Sequence, residues 1–150
     1  MAMAQISGIA HACINVSDIE RSKKWYQQVL GLKLISEFKH DLSDGVGIKN
    51  AHVLGAILQW GELEGVTQLE LINYQGHLRK QYDRSTPIYQ IGCSHVAFLV
   101  KNAIDQLYQE LEAKGVEFFS PLQVVKVGGE VVKFCYFRDP DGIPLELIGT

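Results

Sequence analysis

Four side chains in this 150-residue chain have types and spacings that would let them act together: His11, Glu70, His95 and Glu146. The histidines are 84 positions apart, and each glutamate is the second residue of a Leu-Glu-Leu-Ile tetrapeptide, at 69–72 and again at 145–148. Imidazole nitrogens and carboxylate oxygens gathered at one point form a mixed donor set that suits Zn, Ni, Co, Mn or Fe(II). Four protein donors on a six-coordinate ion would leave two adjacent positions for water or substrate. Taken singly, each position has a plainer reading. A strand histidine is more often packed or solvated than a ligand, and a glutamate within an apolar run can simply face solvent. A carboxylate is rarely buried without a partner, however, because its desolvation costs several kcal/mol or forces its neutralisation. The repetition of the pair gives the metal reading its weight.

The elements that must position these residues are written twice. Shifting the chain by 84 positions sets HACINVSDIERSKKWYQQVLGLKLIS on HVAFLVKNAIDQLYQELEAKGVEFFS without a gap, with His11 on His95, Val16 on Val100, Gly31 on Gly115 and Ser36 on Ser120. Each copy opens as a strand of period two. In the first, Ala10, Ala12, Ile14 and Val16 form an apolar face opposite His11, Cys13 and Asn15; in the second, Val96, Phe98 and Val100 oppose Cys93, His95, Ala97 and Leu99. A helix of 3.6 period follows, burying Ile19, Trp25, Val29 and Leu30 in one copy and Ile104, Leu107, Tyr108 and Leu111 in the other. Ser17 with Glu20 reads as a capping box, and Asn102 with Asp105 as a weaker one. Gly31 and Gly115 end the helices and lead into the strands LKLISEF and VEFFSP. AHVLGAILQW and TQLELINY complete one copy, EVVKFCYFRD and IPLELIG the other, the last pair joined by the turn Asp139-Pro140-Asp141-Gly142. The predicted class is α+β, one domain over 1–150 built from two β-α-β-β-β modules, about 5–75 and 92–150, with the polar stretch from Gln75 to Gly92 joining them. If the modules pair about a pseudo-twofold axis, the two histidines and two glutamates converge near it.

Composition narrows the classes of function. A hydrophobic fraction of 47% with 21% charged residues is that of a globular protein, and a net charge of −3 offers no electrostatic case for nucleic acid or an anionic membrane. No apolar run approaches the roughly 20 residues that cross a bilayer, and the first residues lack the pattern of a secretory signal. With the odd count of cysteines, Cys13, Cys93 and Cys135, this leads us to expect reduced thiols and a cytoplasmic location.

HACINVSDIERSKKWYQQVLGLKL and FRDPDGIPLELI resemble the vicinal oxygen chelate superfamily, which includes glyoxalase I, methylmalonyl-CoA epimerase, extradiol dioxygenases and bleomycin resistance proteins. The resemblance spans nearly the whole chain. It implies a curved, partly open mixed sheet with a divalent metal in its concave face, a small-molecule substrate and a homodimer. It also implies that His11, Glu70, His95 and Glu146 are the metal ligands, as in bacterial-type glyoxalase I. The activity so implied is that of a lyase or isomerase acting on a small 2-oxo compound or acyl thioester. The cation grips two neighbouring oxygens and stabilises an enediolate, with Glu146 or Glu70 as the base. Extradiol-type dioxygenase chemistry on Fe(II) is the second reading, disfavoured by the fourth ligand at Glu70; a non-catalytic resistance-type binder is the third.

The chain departs from the glyoxalase I pattern at Asn15, where many members place an arginine, and at Asn73, where the family's asparagine is one residue out of step. Lys126 ahead of Gly128 and Gly129 matches the family's glycine-rich loop. His40, His52 and His77 have no repeat partner and are not expected to be ligands. The segment Lys39–Asn50 reads as an exposed loop that could close over substrate, and Arg79, Lys80 and Arg84 as a solvated connector that could meet an anionic tail.

Overall fold

The computed structural model describes residues 8–61, 67–76, 82–88, 91–92, 94–127 and 129–150. The chain divides into two compact units, Met1–Arg79 and Lys80–Thr150. The first contains β1 (His11–Asn15), α1 (Ile19–Gln28), β2 (Lys33–Asp41), α2 (Ser43–Val46), β3 (His52–Gln59) and β4 (Gln68–Tyr74). The second contains β5 (Val96–Val100), α3 (Ile104–Ala113), β6 (Gln123–Val127), β7 (Glu130–Arg138) and β8 (Pro144–Gly149). Each unit carries one four-stranded mixed sheet, in the orders β1-β4-β3-β2 and β5-β8-β7-β6. The opening strand runs parallel to the closing one in each, and the remaining pairs are antiparallel. This is the α+β architecture of two repeated modules that the duplicated pattern predicts. Among the described residues no helix is long and apolar enough to cross a membrane.

Alternation along each strand sorts the side chains between two faces. In the first unit Ile14, Ala56, Leu58, Leu69 and Leu71 are buried in the core with Ile19, Tyr26 and Leu30. In the second, Phe137, Cys135, Leu145 and Leu147 are fully buried with Ile104 and Leu111. The glutamates sit between two buried leucines in sequence and therefore project from the opposite face of each sheet.

Several local expectations differ from the structure. The α1 stripe centres on Tyr26, which is fully buried, whereas Trp25 and Val29 are only half-buried. The cap of α1 is Asp18, whose carboxylate accepts from Arg21 N–H at 3.0 Å, in place of Ser17. Nor does Asn102 cap α3: Ala103 occupies the cap with φ of 58° and no side-chain hydrogen bond, and Thr150 O accepts from Ile104 N–H at 3.1 Å. VEFFSP contributes a single bridge, Phe118 to Phe137, and the strand equivalent to β2 is β6, further along the chain. The segment Lys39–Asn50 is partly ordered: β2 runs to Asp41, α2 follows, and Leu42 N–H bonded to Ala51 O ties the segment's ends together.

The two copies resolve the same corner differently. In the first, Asn73 at the end of β4 is buried, and its amide donates to Val16 O and Ser17 O, both at 2.8 Å, bracing the approach to α1. The equivalent position in the second is Gly149, where the carbonyl oxygen of Val100 lies 1.8 Å from the point a Cβ would occupy.

Candidate functional site

Strand register brings each histidine to its own module's glutamate. In the first unit, parallel pairing sets Cys13 beside Glu70, and His11, two residues earlier, lies on the same face. His11 Nε2 stands 3.3 Å from Glu70 Oε2. In the second, Ala97 pairs with Glu146, the same register shifted by the repeat, and His95 just ahead of β5 places Nε2 3.0 Å from Glu146 Oε2. The described structure thus contains the same His–Glu pair twice, once in each unit.

The surroundings of the pairs differ. His11 and Glu70 side chains are 48% and 17% exposed, against 27% and 10% for His95 and Glu146. Ser94 Oγ lies 2.8 Å from His95 Nδ1 and orients that ring. Ile57 faces Glu70 across β3 and β4, whereas Tyr136 faces Glu146 across β7 and β8. The Tyr136 hydroxyl hydrogen-bonds to Glu146 and its pKa is pushed up, first by burial and then by that carboxylate. Cys13 remains a protonated thiol: desolvation of its sulfur, although the residue as a whole is exposed, and the adjacent Glu70 charge raise its pKa to about 12. Sequence reasoning missed Tyr136. The signal was available in the hairpin: if the Asp139 turn pairs Arg138 with Pro144, counting back two residues and forward two sets Tyr136 against Glu146.

The spacing within each pair fits a cation. Two donors at about 2.1 Å from one ion and at right angles to each other lie about 3 Å apart, as these do. A His nitrogen and a Glu oxygen are also donors a borderline divalent metal accepts. Among the described residues of either unit, no third His, Cys, Asp or Glu joins a pair to make a group able to hold a metal by itself.

The remaining candidates lie elsewhere. His40 stacks on Phe38, with ring centroids 5.2 Å apart, and His52 faces Asp41 at 3.5 Å. Arg84 is engaged with Glu117 at 2.9 Å, and the Glu117 carboxylate also meets Arg138 at 3.2 Å. His77, Arg79, Lys80, Cys93 and Gly128 lie outside the described residues. Two surface grooves of the first unit, about 240 and 320 Å³, run beside α1 and β2 and include neither His11 nor Glu70.

Residues 8–147 match the model of the glyoxalase/bleomycin resistance protein/dioxygenase superfamily, and the chain belongs to that family. The uncharacterized protein YwkD of Bacillus subtilis is 31% identical over 150 residues, covering 95% of this chain and 96% of its own length. The lactoylglutathione lyase of Haemophilus influenzae is 28% identical, covering 93% of this chain and 90% of that enzyme. That of Schizosaccharomyces pombe is 31% identical and covers 92% of this chain, which spans only 46% of the yeast enzyme. Among solved structures, a glyoxalase family protein from Bacillus cereus superposes with a TM-score of 0.80 at 21% identity, over 99% of this chain and 97% of that one. That likeness concerns the fold.

Proposed function

We propose that this protein is a divalent-metal-dependent lyase or isomerase in which His11, Glu70, His95 and Glu146 together hold one cation. The observation that carries the reading is the recurrence of one His–Glu pair, in one register, at a spacing suited to neighbouring metal ligands. The relatives named lactoylglutathione lyase support the reaction class. Ni, Zn, Co, Mn and Fe(II) are all compatible with two imidazoles and two carboxylates. When bound, the cation supplies Lewis acidity for a small substrate presenting two neighbouring oxygens, a 2-oxo compound or an acyl thioester.

The chain's own groups supply the rest. Both imidazoles would bind through Nε2, and the Ser94 hydroxyl at 2.8 Å from Nδ1 holds the orientation of the His95 ring. One of the two glutamates takes the proton from the carbon beside the carbonyl and returns it to the substrate, as a general base and then a general acid. A fourth ligand at Glu70 takes a position that dioxygenase chemistry on Fe(II) would need open, which favours proton transfer. We further propose one domain with modules about 5–75 and 92–150, acting as a homodimer.

Metal analysis of the purified protein, followed by solvent-deuterium exchange into 2-oxo and acyl-thioester substrates, tests the reading. One tightly held transition metal per chain and deuterium at the carbon beside the carbonyl are expected. Protein that takes up no divalent metal from a panel, or is loaded and exchanges no substrate, would overturn it.

A further inference from the structure

The connector between the modules contains a turn that the second unit holds by its side chains. Asp83 Oδ1 accepts from the Ser85 N–H at 2.9 Å and from the Ser85 hydroxyl at 2.6 Å. Thr86 N–H donates to Asp83 O at 2.9 Å, which closes the turn with Arg84 at its second position. From there the Arg84 guanidinium reaches Glu117, with Nη2 2.9 Å from Oε2. Its stem lies over the β7–β8 turn. A Cβ on Gly142, whose φ is +87°, would come within 2.7 Å of Arg84 Nε and 3.1 Å of its Cγ. Glycine leaves open the space in which the arginine lies.

Arg138 completes the attachment from the sheet. Its Nε stands 3.2 Å from Glu117 Oε1, Nη1 donates to Gly142 O at 2.8 Å, and Nη2 donates to Arg84 O at 3.4 Å. Its guanidinium carbon also sits 4.3 Å from the centre of the Phe119 ring. One carboxylate thus takes an arginine on each oxygen, one from the connector and one from β7. The two differ in exposure: the Arg138 side chain is 15% exposed, against 54% for Arg84 and 56% for Glu117. The sheet half is fixed, and the connector half is the part that can let go, because salt screens an ion pair so open to water.

We propose that Arg84 is a latch that straps the connector to the second module, and that ionic strength sets its release. Latched, the span from Tyr74 at the end of β4 to Asp83 is the eight residues 75–82, which reach at most about 30 Å. Unlatched, the next element of regular structure is β5 at Val96, and the span becomes the 21 residues 75–95, with a reach of at most about 75 Å. The latch therefore governs how much chain separates the modules. Effective concentration falls roughly as the −3/2 power of span length, so release dilutes one module with respect to the other about fourfold.

Trypsin reads the latch directly, because the protease must take the Arg84 side chain into its own acidic pocket before it can cut the following bond. Cleavage after Arg84 is followed by mass spectrometry on the full chain, relative to a free peptide of residues 81–90 in the same buffer. The protein in 50 mM salt is expected to be cut about tenfold more slowly than the peptide, or slower still, and 0.5 M salt should narrow the gap. Glu117→Gln should speed the cut about fivefold, the upper end of what an exposed ion pair holds closed. Gly142→Ala, which fills the space under the arginine, should speed it too, while cleavage after Lys49 in the first unit stays unchanged in both variants. Circular dichroism establishes that each variant is folded, and if Gly142→Ala is not, Glu117→Gln decides alone. A wild-type protein cut after Arg84 as fast as the peptide overturns the proposal. So does protection that neither salt nor Glu117→Gln reduces.

Discussion

Ser22 is fully buried in α1, and its hydroxyl is the one buried side-chain polar atom among the described residues without a hydrogen-bond partner. Desolvating an unpaired hydroxyl opposes folding, so Ser22→Ala should stabilise the protein by about 1 kcal/mol, read as a melting temperature about 2–4 °C higher. At the next residue the balance is reversed. Burial works against the Lys23 ammonium, but hydrogen bonds and charge from Glu20 and Glu37 outweigh it and raise its pKa above the usual 10.5. A raised folded-state pKa means that the stabilisation is complete below the ordinary lysine value and is lost as pH climbs through the folded one. Chemical denaturation at pH 9 and about pH 11.5 should therefore show the stability gap between wild type and Lys23→Met narrowing at the higher pH. Both side chains were hard to read from sequence. Ser22 and Lys23 look like surface helix residues until Tyr26 is seen to be the centre of the buried stripe. His11, Glu70, His95 and Glu146 were legible because each stands in a repeated context. Tyr136 was not, because its importance lies in a cross-strand register and its repeat position is an isoleucine.

Strands and helices with strong periodicity were readable, and the joints between them were not. The alternation that predicts β1 and β5 is also what separates leucine from glutamate in β4 and β8. Caps and edge strands differed for separate reasons: Asp18 caps α1 by a local bond one residue past Ser17, Thr150 O meets Ile104 N–H through a contact that only the folded corner creates, and VEFFSP has strand composition but pairs at one residue. Two glycines within strands make a testable contrast. A Cβ at Gly55 would lie 2.0 Å from the Phe38 ring, the far end of a side chain that can swing away. Gly55→Ala should cost about 1–3 kcal/mol. At Gly149 the obstruction is the backbone carbonyl of Val100. Gly149→Ala should cost more, about 4 kcal/mol, because the β5–β8 pairing must itself shift. Urea midpoints of the two variants would show the order, and an equal or reversed cost would refute the distinction.

At the scale of the molecule, the proposed cation would link metal content to stability. A ligand bound only by the folded state adds about 2.7 kcal/mol at one hundred times its dissociation constant, so chelator-treated protein should melt lower and recover on adding nickel or zinc. Glu146→Gln and His95→Ala should each flatten that response, and melting curves unaffected by metal in wild type would count against the centre.

The duplicated origin of the fold also has a history written in one corner. Asn73 bridges two carbonyls where Gly149 leaves room for one. Transplanting the second copy's glycine into the first would strip Val16 and Ser17 of their amide, and the reverse graft would drive a side chain into Val100. The two halves are therefore not interchangeable at this position, and a chain carrying either swap should melt below the natural one.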